Sequence, residues 1–260
     1  MLAGMLETQQ GEVIVCNEVM TNKGAKAKRH IGYLPEDAPL YLDLTVDEYL
    51  DYCAGLRLVP VDNRKPAVEE AKQLCDLGDV GSRIIGNLSK GFKQRIGIAQ
   101  AIIHKPPVLI LDEPTNGLDP NQIRDVRTLV RSLAAAAQGL IISTHVLSEV
   151  EALCDRVVII HQGHIVFDET LGKNNGVMHV TFAAPVQSGF FDKLPEIKHI
   201  NKINDHRFAL STENAELAAS ALIKHCASTN ATLLEMTSGQ NHLEQLFFDI
   251  TCNDFTPRND

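Results

Sequence analysis

Apolar positions along this chain follow two rhythms, short continuous runs and helical spacing near 3.6, and the two alternate. Gly11 to Cys16 reads as a short apolar strand followed by a polar loop. Ile31-Gly32-Tyr33-Leu34 reads as a second strand, closed by Pro35. Thr45-Val46-Asp47-Glu48 has the form of a capping box, opening a helix with apolar positions 46, 49, 50, 53 and 56. Pro66, placed in a first turn, opens another helix through Leu77. Ser89 can cap a helix to about Ile103, stopped by Pro106-Pro107. Val108-Leu109-Ile110-Leu111 is apolar on every residue and predicts a parallel strand buried on both faces. Pro120 starts a helix with Ile123, Val126, Leu129, Val130 and Leu133 on one side. Gly139 to Ser143 is a further apolar strand, then a short helix reaches Cys154. Arg156–Ile160 and His164–Asp168 form a hairpin around Gln162-Gly163. Strands alternating with helices predict a three-layer α/β domain over residues 1–172.

Lys173-Asn174-Asn175-Gly176 reads as a linker to a second, smaller domain over 177–250. There the pattern gives strand 177–183, helix 187–194, strands 197–203 and 207–211, helix 213–227 and strand 231–236. A final helix is expected over 240–250. The order β-α-β-β-α-β is that of a split βαβ, ferredoxin-like α+β domain.

Composition narrows the function classes. Apolar residues make up 44% and charged residues 22%, which excludes a disordered or collagen-like chain. The longest stretch free of acids and bases, Ser132 to Ser148, carries Gln138, Ser143, Thr144 and His145 and is no membrane span. Met1 to Met5 lacks the basic region and the length of a signal peptide. A net charge of −9 pushes the chain away from phosphate backbones, so no nucleic-acid partner is expected. Lys23, Lys26, Lys28, Arg29 and His30 are a local exception, readable as a solvated loop or as a phosphate or lipid patch. Six cysteines without a Cys-x-x-Cys pair predict reduced thiols in a cytosolic protein. Ten histidines form no metal grouping. His161 and His164 read as hairpin residues, and His179, His199, His206, His225 and His242 as surface or packing residues.

The sharpest chemical feature is Asp112-Glu113 at the carboxyl end of the apolar strand 108–111, the end where open parallel sheets bind ligands. An Asp there can hold Mg²⁺ and the next carboxylate can polarise a water, although two acids can also merely cap the segment after the strand. Leu88-Ser89-Lys90-Gly91-Phe92 opens the preceding helix, where free backbone N–H groups suit an anion; Ser89 can equally be an ordinary cap. Asn116-Gly117-Leu118-Asp119 forms a turn directly after the acids. Ser143-Thr144-His145 ends the next strand and brings an imidazole, or a plain surface histidine, to the same sheet edge.

In this order and spacing these segments resemble the signature motif, Walker B, D-loop and H-switch of an ABC transporter nucleotide-binding domain. The resemblance covers roughly residues 1–172 and implies a P-loop NTPase-like fold, a parallel sheet with a helical subdomain. Leu-Ser-Lys-Gly-Phe, Ile31-Gly32-Tyr33-Leu34-Pro35-Glu36 and Leu118-Asp119-Pro120-Asn121-Gln122 are most similar to exporter ATPases of the gliding-motility type. The resemblance implies ATP and Mg²⁺ as ligands, with Asp112 serving Mg²⁺ and Glu113 as general base. It further implies His145 sensing the γ-phosphate, Asp119 crossing a dimer interface, and the Ser89-Lys90-Gly91-Phe92 turn meeting a partner's ATP. Glu36 stands where many relatives carry a glutamine that couples nucleotide state to the permease. The implied partners are a polytopic permease, docked over residues 41–95, and a second nucleotide-binding subunit. That arrangement implies a peripheral position at the cytoplasmic face of the inner membrane.

A DNA-repair ATPase would share the signature and Walker B, but such proteins insert a long coiled coil, and nothing here has sustained heptads. No Gly-x-x-x-x-Gly-Lys-[Ser/Thr] loop occurs; the only Gly-Lys pair, Gly172-Lys173, is followed by Asn174. Met1-Leu2-Ala3-Gly4 resembles the helix that comes after that loop, so the chain is expected to begin just beyond it, without the first strands. Strand 139–143 is then expected to lie partly uncovered, favouring aggregation. Two alternatives result: a truncated copy of an exporter ATPase, or a non-catalytic subunit donating its signature to an intact partner.

Overall fold

The computed structural model describes residues 1–21, 25–136, 139–171, 176–186, 188–212 and 214–238. The expected linker at 173–175, the helix over 240–250 and Lys23 of the basic group lie outside them. The described elements fall into two compact units, Met1–His145 and Val146–Asp260, so the division precedes the expected one at 172.

The first unit opens with β1 (Ile14–Val15), paired antiparallel to β2 (Glu18–Val19), a two-residue ribbon in place of the longer strand expected from Gly11. The helical turn α1 (Ala25–Lys28) and strand β3 (Ile31–Leu34) come next. Helix α2 (Val46–Leu56) starts at the expected capping box, with Thr45 and Glu48 exchanging both hydrogen bonds. Helix α3 (Val61–Leu74) departs from expectation, because it begins at Pro60 and carries Pro66 inside it. Pro66 sits in the second turn rather than the first, where the missing N–H does cost a bond. Buried Lys72 on α3 reaches Asp47 on α2 at 2.7 Å and tethers the two helices. The unit is completed by α4 (Lys90–Ile102), β4 (Val108–Asp112), α5 (Pro120–Ala136) and β5 (Gly139–Ser143).

β3, β4 and β5 form a parallel sheet with β4 in the centre. Leu34, Leu109 and Leu111 are buried on one face, where α4 comes close with Gly97 at Leu34 and the Ala101 carbonyl at Gly32. The other face is more open than a strand apolar at every position suggests: Val108 and Ile110 are half-buried and Ile141 is 43% exposed.

His104, just past α4, is half-buried with Nε2 3.3 Å from the Ile31 carbonyl. Burial, then the Arg57 charge, pull its pKa from 6.5 down to about 4. Between those values the unfolded chain binds the proton and the native one does not, so stability rises with pH across this window. The stability is present above pH 6.5 and lost as pH falls towards 4, about 2 kcal/mol in all once solvent screening at a half-buried site is allowed for. Urea midpoints at pH 7 and pH 5 should therefore differ, and His104→Gln should shrink the difference; an unchanged pH slope would refute the assignment.

The second unit begins with α6 (Leu147–Leu153) and the hairpin β6 (Arg156–His161) and β7 (His164–Thr170), turning through Gln162 and Gly163 at φ 49 and 82. After it come β8 (Gly176–Phe182), β9 (Ile197–Lys202), β10 (Arg207–Thr212), α7 (Ala215–Thr229) and β11 (Leu233–Ser238). The sheet order β11-β8-β10-β9, antiparallel throughout, is the ferredoxin-like arrangement. The expected helix over 187–194 is only a 3₁₀ turn, Ser188–Phe191. Phe191 nevertheless reaches the core with Phe182, Phe208, Leu210 and Leu222, so a single turn suffices to bury it.

Candidate functional site

The parallel register brings the chemistry together. Leu34, Leu111 and Ile142 lie side by side, and in the next row Asp112 is paired with Ser143. A side chain on that row leaves the carboxyl end of the sheet, the end at which open parallel sheets meet their ligands. The Ser143 hydroxyl donates to Asp112 Oδ1 and holds the carboxylate in one orientation. Burial, followed by the Asp112 charge, pushes the Tyr33 hydroxyl upward, which keeps the ring neutral beside that acid.

One residue on, the backbone changes hand. Glu113 has φ +46, a left-handed conformation that costs a non-glycine residue about 1 kcal/mol or more. Its N–H still donates to Ser143 O at 3.0 Å, so the chain is anchored while it turns. The turn carries the Glu113 carboxylate to His145, whose Nδ1 donates to Oε1 at 2.8 Å. Glu113 is 16% exposed and His145 70% exposed, so the pair has one protected and one open member. Such a pair can accept a proton at the carboxylate and present an imidazole to an incoming anion.

Glu36, two residues beyond β3, is exposed and accepts from Asn116 Nδ2 at 3.0 Å. This hydrogen bond joins the β3 exit to the turn after β4. Asn116 and Ser143, legible in the sequence only as members of the turn and of the strand end, are thus given partners by the structure, Glu36 and Asp112. The available signal was register, since strands 108–112 and 139–143 pair Asp112 with Ser143.

Ser89, Lys90, Gly91 and Phe92 make a second group around the start of α4. Ser89 is the N-cap and accepts from Phe92 N at 3.4 Å, the ordinary reading of that residue. Lys90 lies against Gly117, and Gly91 lies against Gln122. Asp119 caps α5, its Oδ1 accepting from Asn121 N and Gln122 N at 3.0 Å each. The candidates thus fall into two clusters, Asp112-Glu113-His145 with Glu36, and Ser89–Phe92 with Asp119.

The donor set suits a hard cation: a carboxylate and a hydroxyl oxygen, Asp112 and Ser143, match Mg²⁺, which keeps most of its shell for water and phosphate oxygens. Among the described residues no cluster of three His, Cys, Asp or Glu could enclose a metal by itself. No described helix is long and apolar enough to cross a membrane.

Comparison with known proteins bears on the family of the chain. The family model described as ABC transporter matches residues 1–116. The chain is 30% identical over 234 residues to the uncharacterized ABC transporter ATP-binding protein YdbJ of Bacillus subtilis strain 168, covering 90% of this chain and 72% of that protein. It is 37% identical over 166 residues to the bacitracin transport ATP-binding protein BcrA of Bacillus licheniformis, covering 64% and 53%. Among solved structures, cbiO1 from Clostridium perfringens, part of the ABC transporter complex cbiONQ, is similar with a TM-score of 0.59 at 26% identity, covering 65% of this chain and 69% of that one. The chain spans little more than half the length of several of the curated relatives it matches, 53% for BcrA. A match of this extent to YdbJ, beside the family model, shows the family: the chain belongs to the ABC transporter ATP-binding proteins.

Proposed function

We propose that the chain is the ATP-hydrolysing subunit of an ABC-type exporter that energises a polytopic permease. The observation that carries this reading is the Glu113–His145 pair, 2.8 Å apart at the carboxyl end of β4 and next to Asp112. Glu113 is the base that takes the proton of the attacking water, and His145 orients that base and meets the γ-phosphate. Asp112, aimed by Ser143, is the residue that holds Mg²⁺, which when bound neutralises phosphate charge. Glu36 orders water near this edge through its carboxylate, while Ser89, Lys90, Gly91 and Phe92 form the surface offered to a partner's ATP. Asp119 faces the same partner across the dimer interface.

Support for the permease comes from the α2–α3 region. A groove of about 400 Å³ is lined by Glu48, Asp51, Tyr52, Gly55, Leu56 and Arg64, and Tyr41 beside it is 53% exposed. A permease seated there would hold the subunit at the cytoplasmic face of the inner membrane. The name of BcrA attributes bacitracin transport to that relative, and the match supports a transport role here; the exporter branch of the gliding-motility type rests on the resemblance of the 31–36, 88–92 and 118–122 segments alone. Cargo is selected by the permease in this arrangement.

A second reading is favoured by one sequence fact: these 260 residues contain no Gly-x-x-x-x-Gly-Lys-[Ser/Thr] run to cradle the phosphates. On that reading the chain is a non-catalytic partner donating its Ser89–Phe92 surface to the ATP site of an intact subunit. Both readings predict Mg-ATP turnover when the chain is mixed with an intact ABC ATPase subunit. Ser89→Arg places a bulky cation on the donated surface and should lower that turnover at least about tenfold. Turnover indifferent to Ser89→Arg would remove the composite site from consideration. Glu113→Gln then separates the readings, because only the catalytic one needs the carboxylate.

A further inference from the structure

Arg95 projects from the second turn of α4 between two acids on separate elements. Its Nη1 is 2.7 Å from Asp76 Oδ2, just past α3, and its Nη2 is 2.9 Å from Asp125 Oδ2 on α5. The arginine side chain is only 15% exposed, although Asp76 is 91% and Asp125 48% exposed. Phe92, one turn back on α4, lies 6.0 Å from the guanidinium carbon. Ion pairs with such exposed acids add little to overall stability. A planar fork held by two carboxylates, however, fixes direction as well as distance.

The neighbouring contacts show what that direction controls. A Cβ on Gly91 would come within 2.8 Å of the Gln122 side-chain amide carbon, so the Gln122 side chain of α5 lies over the first turn of α4. Gly117 at φ +68 leaves room for the Lys90 ammonium, 2.1 Å from where a Cβ would stand. Asp119 is held by α5 itself, through Asn121 N and Gln122 N. The first two turns of α4 thus meet the turn before α5 at Gly117 and α5 itself at Gln122 and Asp125, and Arg95–Asp125 is the ion pair among these contacts.

We propose that Arg95 is a positioning residue: it locks α4 to α5 so that the Ser89–Phe92 turn and Asp119 keep a fixed spacing. The inference rests on the composite-site reading for its functional consequence, but the lock itself does not. Amide hydrogen exchange on the full chain tests the lock without nucleotide. Arg95→Gln should speed exchange at Phe92, Asn121 and Gln122 together, by at least about fivefold, the loss expected for a weakened helix cap. Asp125→Asn, which removes only the α5 arm, should do the same with the fold kept and the melting midpoint moved by no more than a few degrees. Lys105→Gln, which breaks the exposed Lys105–Glu70 pair, should leave these amides unchanged. In the mixture with an intact ABC ATPase subunit, Arg95→Gln and Asp125→Asn should each lower kcat for Mg-ATP about tenfold with KM unchanged, and the double variant should be no worse than either. Exchange that rises at one cap only, or at neither, overturns the lock. Faster exchange with undiminished kcat would keep the lock and refute the composite site instead.

Discussion

Glu113→Gln is expected to lower Mg-ATP turnover by about 10² to 10⁴-fold, the usual contribution of a positioned general base. The amide keeps the shape of the carboxylate, and its oxygen can still accept from His145 Nδ1, so the 2.8 Å contact survives. What the amide cannot do is take a proton. Nucleotide affinity should therefore change little while the chemical step collapses, which distinguishes this variant from a folding defect. Turnover of the chain with an intact ABC ATPase subunit, measured alongside ATP binding, decides the matter. A loss smaller than about threefold would show that Glu113 is not the base and would leave the signature-donating reading in place.

Gly32→Ala is expected to destabilise the first unit by about 3 kcal/mol or more, at the upper end of what overpacking costs. Gly32 lies in β3 opposite Leu109, and a Cβ there would stand 2.2 Å from the Ala101 carbonyl oxygen, 2.8 Å from Pro106 Cγ and 2.9 Å from Leu109 Cδ1. The nearest of these belongs to the backbone near the end of α4, which cannot rotate away as a side chain would. Relief requires α4 to lift off the sheet, separating the helix from Leu34 and Leu111. Gly139→Ala is the matched control, since nothing lies within 4 Å of a Cβ at the first residue of β5. That variant should stay within about 0.5 kcal/mol of the parent. Equal denaturation midpoints for the two variants would mean that α4 does not pack on β3 as described.

These two positions also mark how much was legible in the residues alone. The acids at 112 and 113 stood out because an apolar run ends on them, and ending is a local property of sequence. Thr45 and Glu48 were equally legible, because a capping box closes within four residues. Pro66 misled, since its rigid φ suits any early helical position and the true start depended on how Val68 and Ala71 pack. The 187–194 segment kept its buried Phe191 but not its helix, because one turn already delivers that ring to the core. Ser143, Asn116 and Arg95 were invisible as partners: each acts on a residue 19 to 80 positions away.

The sequence alone determined the alternation of strands and helices, the four strands and the long helix between residues 176 and 238, and the family motifs, because periodicity, caps and short spacings are local. Only the tertiary structure decided which carboxylate meets which partner, through strand register and helix contact. Register sets Asp112 against Ser143, a left-handed turn delivers Glu113 to His145, and a guanidinium fork joins α4 to α5. Such pairings arise from packing many apolar side chains at once, so no single stretch of residues encodes them.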